Sequence, residues 1–165
     1  MGSGKSYWGR VWALKNGYSF YDLDLQIEKD LKMTVEEIFE KEGEGRFREL
    51  ERSHLHKFEN KKKYLLSCGG GAPCFFDNLE WMKEQGQVIY LKATPQYILK
   101  RVIDETLKRP LLKEVDPSAL LSFIENKLKE REPVYLKAHH ILGVEEVSED
   151  SLAFLLDACA ERPDK

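Results

Sequence analysis

Two glycines, a lysine and a serine stand together at the start of the chain, in Gly2-Ser3-Gly4-Lys5-Ser6. Glycines at these positions let the backbone turn so that successive N–H groups converge on an anion, and the missing Cβ lets that anion come close. Lys5 would place a point charge on the β- and γ-phosphates of a nucleotide, and Ser6 a hydroxyl on Mg²⁺ at the N-terminus of a following helix. This is the downstream part of a phosphate-binding loop, G-x-x-x-x-G-K-[ST], whose first glycine would fall ahead of Met1. A plain Gly/Ser turn followed by a chance lysine is the ordinary alternative.

Five further groups could receive or steer a phosphoryl group. Asp22 and Asp24 are expected at the end of a strand, two apart on an extended segment and so on one side of it, where a carboxylate could hold Mg²⁺ through water or take a proton from an acceptor hydroxyl. Arg48 and Glu51 lie one helical turn apart, a spacing at which the acid can hold the guanidinium towards an anion. Gly69-Gly70-Gly71 follows an apolar run and would turn backbone amides towards a ligand. Arg109, in the charged stretch from Asp104 to Glu114, is where a mobile lid would deliver an arginine to the transferring phosphoryl group, and Arg131 belongs to a late helix that Pro133 should kink.

The elements needed to position these groups can be read from caps and periodicity. A helix is expected over 7–15, a strand over 18–22, a helix capped by Thr34 and Glu37 over 35–42 and, after the break at Gly43 and Gly45, another over 46–58. Strands over 64–67, 87–92 and 140–144 alternate with helices over 78–85, from Thr94-Pro95 onwards, from Asp116-Pro117 towards Lys137, and from Ser148 to about Ala160. The alternation predicts an α/β fold, a parallel sheet with helices on both faces. A phosphate-binding loop follows a strand, so a fifth strand is expected upstream of Met1.

At 165 residues, 42% of them hydrophobic and 33% charged, the chain fits one soluble domain, 1–165. A net charge of −3 argues against a nucleic-acid surface, which carries a basic excess. No apolar run approaches the ~18 residues that span a bilayer, and no basic-then-apolar leader opens the chain. Cys68, Cys74 and Cys159 form no even framework and no C-x-x-C pair, so reduced thiols and a cytoplasmic setting are expected.

In order along the chain, Gly2-Ser3-Gly4-Lys5-Ser6, Asp22-x-Asp24 with Ile27-Glu28, Gly45-x-Phe47-Arg48-x-x-Glu51, Ser67-x-Gly69-Gly70-Gly71, Arg109-Pro110-Leu111-Leu112 and Arg131-x-Pro133-x-Tyr135 resemble the shikimate kinase family over nearly its whole length. The resemblance implies a P-loop kinase of the nucleoside-monophosphate-kinase type, with an acceptor-binding region at about 24–59 and a lid at about 104–117, transferring the γ-phosphate of ATP to the 3-hydroxyl of shikimate. It implies ATP binding by Gly2, Ser3, Gly4, Lys5, Ser6, Arg101 and Arg109, with Arg101 against the adenine. Mg²⁺ would be held by Ser6 and, through water, by Asp22, with Ser67 near those waters. Shikimate would be bound by Asp24, Arg48, Gly69, Gly70, Gly71 and Arg131. Lys5, Asp24 and Arg109 would be the catalytic set, Asp24 as the base, in an enzyme that works as a monomer.

Two other readings keep the same loop. A gluconate or nucleoside-monophosphate kinase would share the phosphate site but not the combination of Asp24, Arg48 and Arg131. An inactive ligand-binding homologue would rest on the incomplete loop alone. The family loop often carries methionine just before Gly-Ser-Gly-Lys, so Met1 is expected to be an internal methionine of a protein that begins roughly ten residues earlier, a strand and a turn upstream.

Overall fold

The computed structural model describes residues 2–106 and 117–160. These divide into two compact units, one of residues 5–72 with 146–160 and one of residues 2–4 with 73–106 and 117–145.

The first unit holds α1 (Lys5–Asn16), β1 (Ser19–Asp22), α2 (Leu23–Leu31), α3 (Val35–His56), β2 (Tyr64–Ser67) and, at its end, the helix Ser151–Ala160. β1 and β2 run parallel, in a register that sets Ser19 against Tyr64 and Asp22 against Ser67. Both strands therefore end side by side at Asp22 and Ser67. α1 packs on both strands, and the Trp12 indole N–H donates to the Ser148 carbonyl at 2.8 Å, tying α1 to the segment before the closing helix.

α2 was not anticipated, and it alters the geometry expected of the two aspartates. The chain passes from strand to helix at Asp22–Leu23 without a loop, so Asp22 ends β1 while Asp24 lies in the first turn of α2, not on the same extended segment. Nine residues are too few to hold a helix by propensity. Leu23 and Ile27, one turn apart, are both fully buried, and together they contribute roughly 3–6 kcal/mol of apolar burial. Packing therefore makes this helix.

The start of α3 is over-determined. Thr34 accepts from the Glu37 N–H at 3.2 Å while the Glu37 carboxylate accepts from the Thr34 N–H at 2.8 Å, the reciprocal box expected of these residues. Glu28 reaches over from α2 to accept from the Val35 N–H at 2.9 Å. Gly43, at φ 79° and ψ 171°, breaks α3 where the sequence places a break, and the helix resumes towards His56. The buried His54 ring lies 2.9 Å from the Leu50 carbonyl and 3.2 Å from Asp30, stitching α3 to α2.

The second unit holds α4 (Asn78–Gln85), β3 (Ile89–Lys92), α5 (Pro95–Thr106), α6 (Pro117–Tyr135) and β4 (His140–Gly143). Numbered in chain order, the closing helix of the first unit is α7. β3 and β4 are again parallel, Ile89 against His140 and Lys92 against Gly143. All described pairings are parallel, as the alternation of elements predicts, β1 with β2 in the first unit and β3 with β4 in the second. Thr94 accepts from the Tyr97 N–H at 3.2 Å as the cap of α5, with Pro95 at its first position. α5 packs on α6, Ile98 and Ile124 are buried, and Pro133 lies inside the last turns of α6.

Candidate active site

Gly2 and Gly4 have φ of +64° and +88°, backbone conformations that a side chain disfavours, and α1 begins at Lys5 immediately behind them. This is the backbone a phosphate-binding loop requires, with its helix N-terminus. Within the second unit Gly2 packs against α5, where an added Cβ would stand 3.2 Å from Cγ2 of Ile98. Ser3 is buried.

At the paired strand ends the Ser6 hydroxyl donates to the Asp22 carboxylate at 2.6 Å and lies 3.2 Å from the Ser67 hydroxyl. Asp22 precedes α2 yet makes no side-chain cap to it. Its carboxylate is committed to Ser6 instead. No group of three or more His, Cys, Asp or Glu able to cage a metal occurs among the described residues. One hydroxyl backed by a carboxylate suits Mg²⁺, which keeps most of its waters and takes other ligands from substrate phosphates.

In the first turn of α2, Asp24 faces a different environment. Its Oδ1 is buried and has no hydrogen-bond partner among the described residues. Burial raises its pKa above the usual carboxylate range, and the charge of Asp22 adds to this, while Lys5 and Arg48 pull the other way. A carboxylate short of partners and reluctant to hold its charge is ready to accept a proton.

Arg48 is buried in α3 with its guanidinium between two acids of the same helix. Nη1 donates to the fully buried Glu51, and Nη2 and Nε donate to one oxygen of Glu44 at 2.7 and 3.2 Å. Burial opposes its charge, but the bonds to Glu51 and Glu44 outweigh burial and raise its pKa. The expected partnership of Arg48 with Glu51 is present; Glu44 is an addition that the sequence carries only as an i,i+4 spacing.

The glycines after β2 make room for these groups. A Cβ on Gly69 would stand 3.1 Å from oxygens of both Asp24 and Glu51, and one on Gly71 would stand 2.6 Å from Nη2 of Arg48. Cys68 beside them is a free thiol whose pKa is pushed up to about 12 by burial and by the nearby Glu51 and Asp24 charges, so it stays protonated. Lys5, Ser6, Asp22, Asp24, Arg48, Glu51, Ser67 and Gly69 to Gly71 thus belong to one unit.

Arg101 and Arg131 belong to the other unit. Arg101 is half-buried on α5 and donates to the Tyr97 hydroxyl at 3.2 Å. Arg131 is half-buried on α6, next to Glu132, which pairs with Lys92 at 3.0 Å. Arg109 and most of the expected lid lie outside the described residues. No described helix is long and apolar enough to cross a membrane.

Comparison with known proteins bears on this arrangement. The family model described as shikimate kinase matches residues 1–159. The shikimate kinase of Bacteroides thetaiotaomicron is 38% identical over 149 residues, which cover 90% of this chain and 85% of that protein. That of Parabacteroides distasonis is 40% identical, covering 92% and 87%. Among solved structures, a shikimate kinase from B. thetaiotaomicron superposes with a TM-score of 0.86 at 36% identity, covering 98% of this chain and 94% of that one. A shikimate kinase from Acinetobacter baumannii, solved in complex with shikimate, gives 0.81 at 34% identity, covering 99% and 91%. With a family model matching residues 1–159, sequence relatives along nine-tenths of the chain and solved structures of the same fold, this chain belongs to the shikimate kinase family.

Proposed function

We propose that the chain phosphorylates the 3-hydroxyl of shikimate with ATP, the reaction that commits shikimate towards chorismate and the aromatic amino acids. The observation that carries this reading is Asp24: a buried carboxylate with an unpartnered oxygen and a raised pKa, flanked by a glycine backbone and a buried arginine. An alcohol must lose its proton as the phosphoryl group arrives, and its carboxylate-bearing ring must be held meanwhile.

In this reading Gly2, Ser3, Gly4 and Lys5 hold the β- and γ-phosphates of ATP, with Arg101 against the adenine. Ser6, and Asp22 through water, hold Mg²⁺, which neutralises phosphate charge when bound; the Ser6–Asp22–Ser67 cluster supports this assignment. Arg48 binds the shikimate carboxylate, a task suited to its planar fork, and the resemblance gives Arg131 the same role. Backbone amides of Gly69 to Gly71 line the acceptor's position. Asp24 orients the ring hydroxyls and takes the 3-hydroxyl proton as that oxygen bonds to the γ-phosphorus and the bond to ADP breaks. Arg109, by the resemblance, offsets the charge on the transferring group. The enzyme acts as a cytosolic monomer, a setting supported by the free thiol of Cys68.

ADP release measured with shikimate, gluconate and AMP as alternative acceptors tests this reading. Turnover is expected with shikimate alone; equal or faster turnover with gluconate or AMP would overturn it.

A further inference from the structure

Arg48 carries two carboxylates of very different character. Glu51 is 1% exposed, inside the fold. Glu44 is 54% exposed, although it binds a guanidinium that is itself only 8% exposed. It occupies the Nε–Nη2 edge, with two N–H groups converging on one oxygen at 3.2 and 2.7 Å. An arginine offers such an edge to an incoming carboxylate.

The backbone on both sides of Glu44 is glycine, unrestrained by neighbouring side chains. It sits between Gly43, whose φ of 79° breaks α3, and Gly45, and a Cβ on either glycine would meet nothing within 4 Å. Glu51, by contrast, lies within the regular second half of α3. One acid is fixed and the other hinged.

The local charge balance points the same way. The acids Asp22, Asp24, Glu28, Glu44 and Glu51 outnumber Lys5 and Arg48: Asp22 and Glu28 act electrostatically on Asp24 alongside those two cations, and Glu44 and Glu51 act on Arg48. An anionic acceptor meets a field that is already negative, and on Arg48 it must contend with a carboxylate in place.

We propose that Glu44 is an intramolecular stand-in for the acceptor's carboxylate: it occupies the binding edge of Arg48 in the free protein and swings out on the Gly43–Gly45 hinge when the substrate enters. Glu44 thereby keeps the guanidinium ordered and charged while setting a threshold against weakly held anions. This rests on the reading of the site as the shikimate site. It makes Glu44 a determinant of acceptor affinity that touches no reacting atom.

The test is E44Q beside wild type, measuring KM and kcat for shikimate, together with direct shikimate binding followed by tryptophan fluorescence. Release of a half-exposed competitor of ordinary ion-pair strength lowers KM and the dissociation constant roughly two- to fivefold. A shikimate analogue with the carboxylate reduced to an alcohol binds both proteins equally. Unchanged or weaker shikimate binding by E44Q, with wild type turning over normally, would overturn the role of Glu44 alone. Shikimate neither bound nor phosphorylated by wild type would overturn the function on which it rests. A purely structural role for Glu44 would weaken both ligands together, which also contradicts the proposal.

Discussion

The guanidinium of Arg48 lies against the bare backbone of Gly71, so close that a Cβ on that glycine would stand 2.6 Å from Nη2. Glycine is required here by the approach of a buried arginine, not by a turn. Glu51 holds the same guanidinium through Nη1, so the arginine cannot retreat freely.

Gly71→Ala therefore tests how finely Arg48 is seated. The added methyl costs about 1–3 kcal/mol of overpacking or displaces the guanidinium. Where displacement relieves the clash, KM for shikimate rises roughly tenfold or more, since 1.4 kcal/mol is a factor of ten, while KM for ATP holds. Steady-state kinetics with each substrate varied in turn checks it.

Asp24→Asn removes the proposed base. Turnover falls roughly 10²- to 10⁴-fold, the usual loss for a positioned proton acceptor. Stability moves the other way. Burial raises the pKa of Asp24 in the folded protein, so its charge opposes folding above that pKa, and the opposition fades as pH falls towards the ordinary carboxylate value of 3.8. The variant is more stable than wild type at neutral pH, and the difference closes in acid. Thermal melts across this range check the sign. The acid limb of kcat/KM in wild type lies above the usual carboxylate range.

Glu51→Ala strips a buried cation of its buried partner. Breaking such a pair by removing one member costs about 3–5 kcal/mol, because the Arg48 side chain is almost wholly buried. Urea unfolding reads this directly. E51Q keeps the volume and one acceptor oxygen and loses less.

Ser6→Ala removes the hydroxyl shared by Asp22 and Ser67. The Mg²⁺ concentration needed for half-maximal rate rises and turnover drops roughly 10²-fold, the scale for losing one preorganised group at a transferring phosphoryl. Ser67→Ala gives up only the 3.2 Å contact and has a smaller effect in the same direction. Titrating Mg²⁺ at fixed ATP separates the two.

The residues that could be read from sequence were those with local rules. Gly2, Gly4, Lys5 and Ser6 form a contiguous motif, Thr34 and Glu37 a reciprocal cap, Thr94 and Pro95 a helix start, and each is found in the conformation its spacing demands. Arg48 with Glu51 is likewise one helical turn. α2 escapes because its evidence is only three apolar residues at i, i+4 and i+8, Leu23, Ile27 and Leu31, and an alternation of Leu and Asp over 22–25 reads equally well as strand. The error moved Asp24 from an extended segment to a helix, which is why it faces Glu51 across Gly69 while Asp22 turns to Ser6. Glu44 was invisible for another reason: an acid four residues from an arginine is the commonest pattern on any solvated helix, and only the burial of Arg48 gives this one meaning. Strand partnership is non-local, so the grouping into β1–β2 and β3–β4 had no sequence signal.

The proposed transfer goes to one particular hydroxyl, with Asp24 taking its proton. Incubation with Mg²⁺, ATP and shikimate followed by phosphorus–proton correlation NMR of the product reads both halves. One phosphoester is expected, on the 3-hydroxyl, formed by wild type and nearly absent with Asp24→Asn. Phosphate on another hydroxyl, release of inorganic phosphate without a phosphorylated product, or undiminished transfer by the Asp24 variant would contradict it.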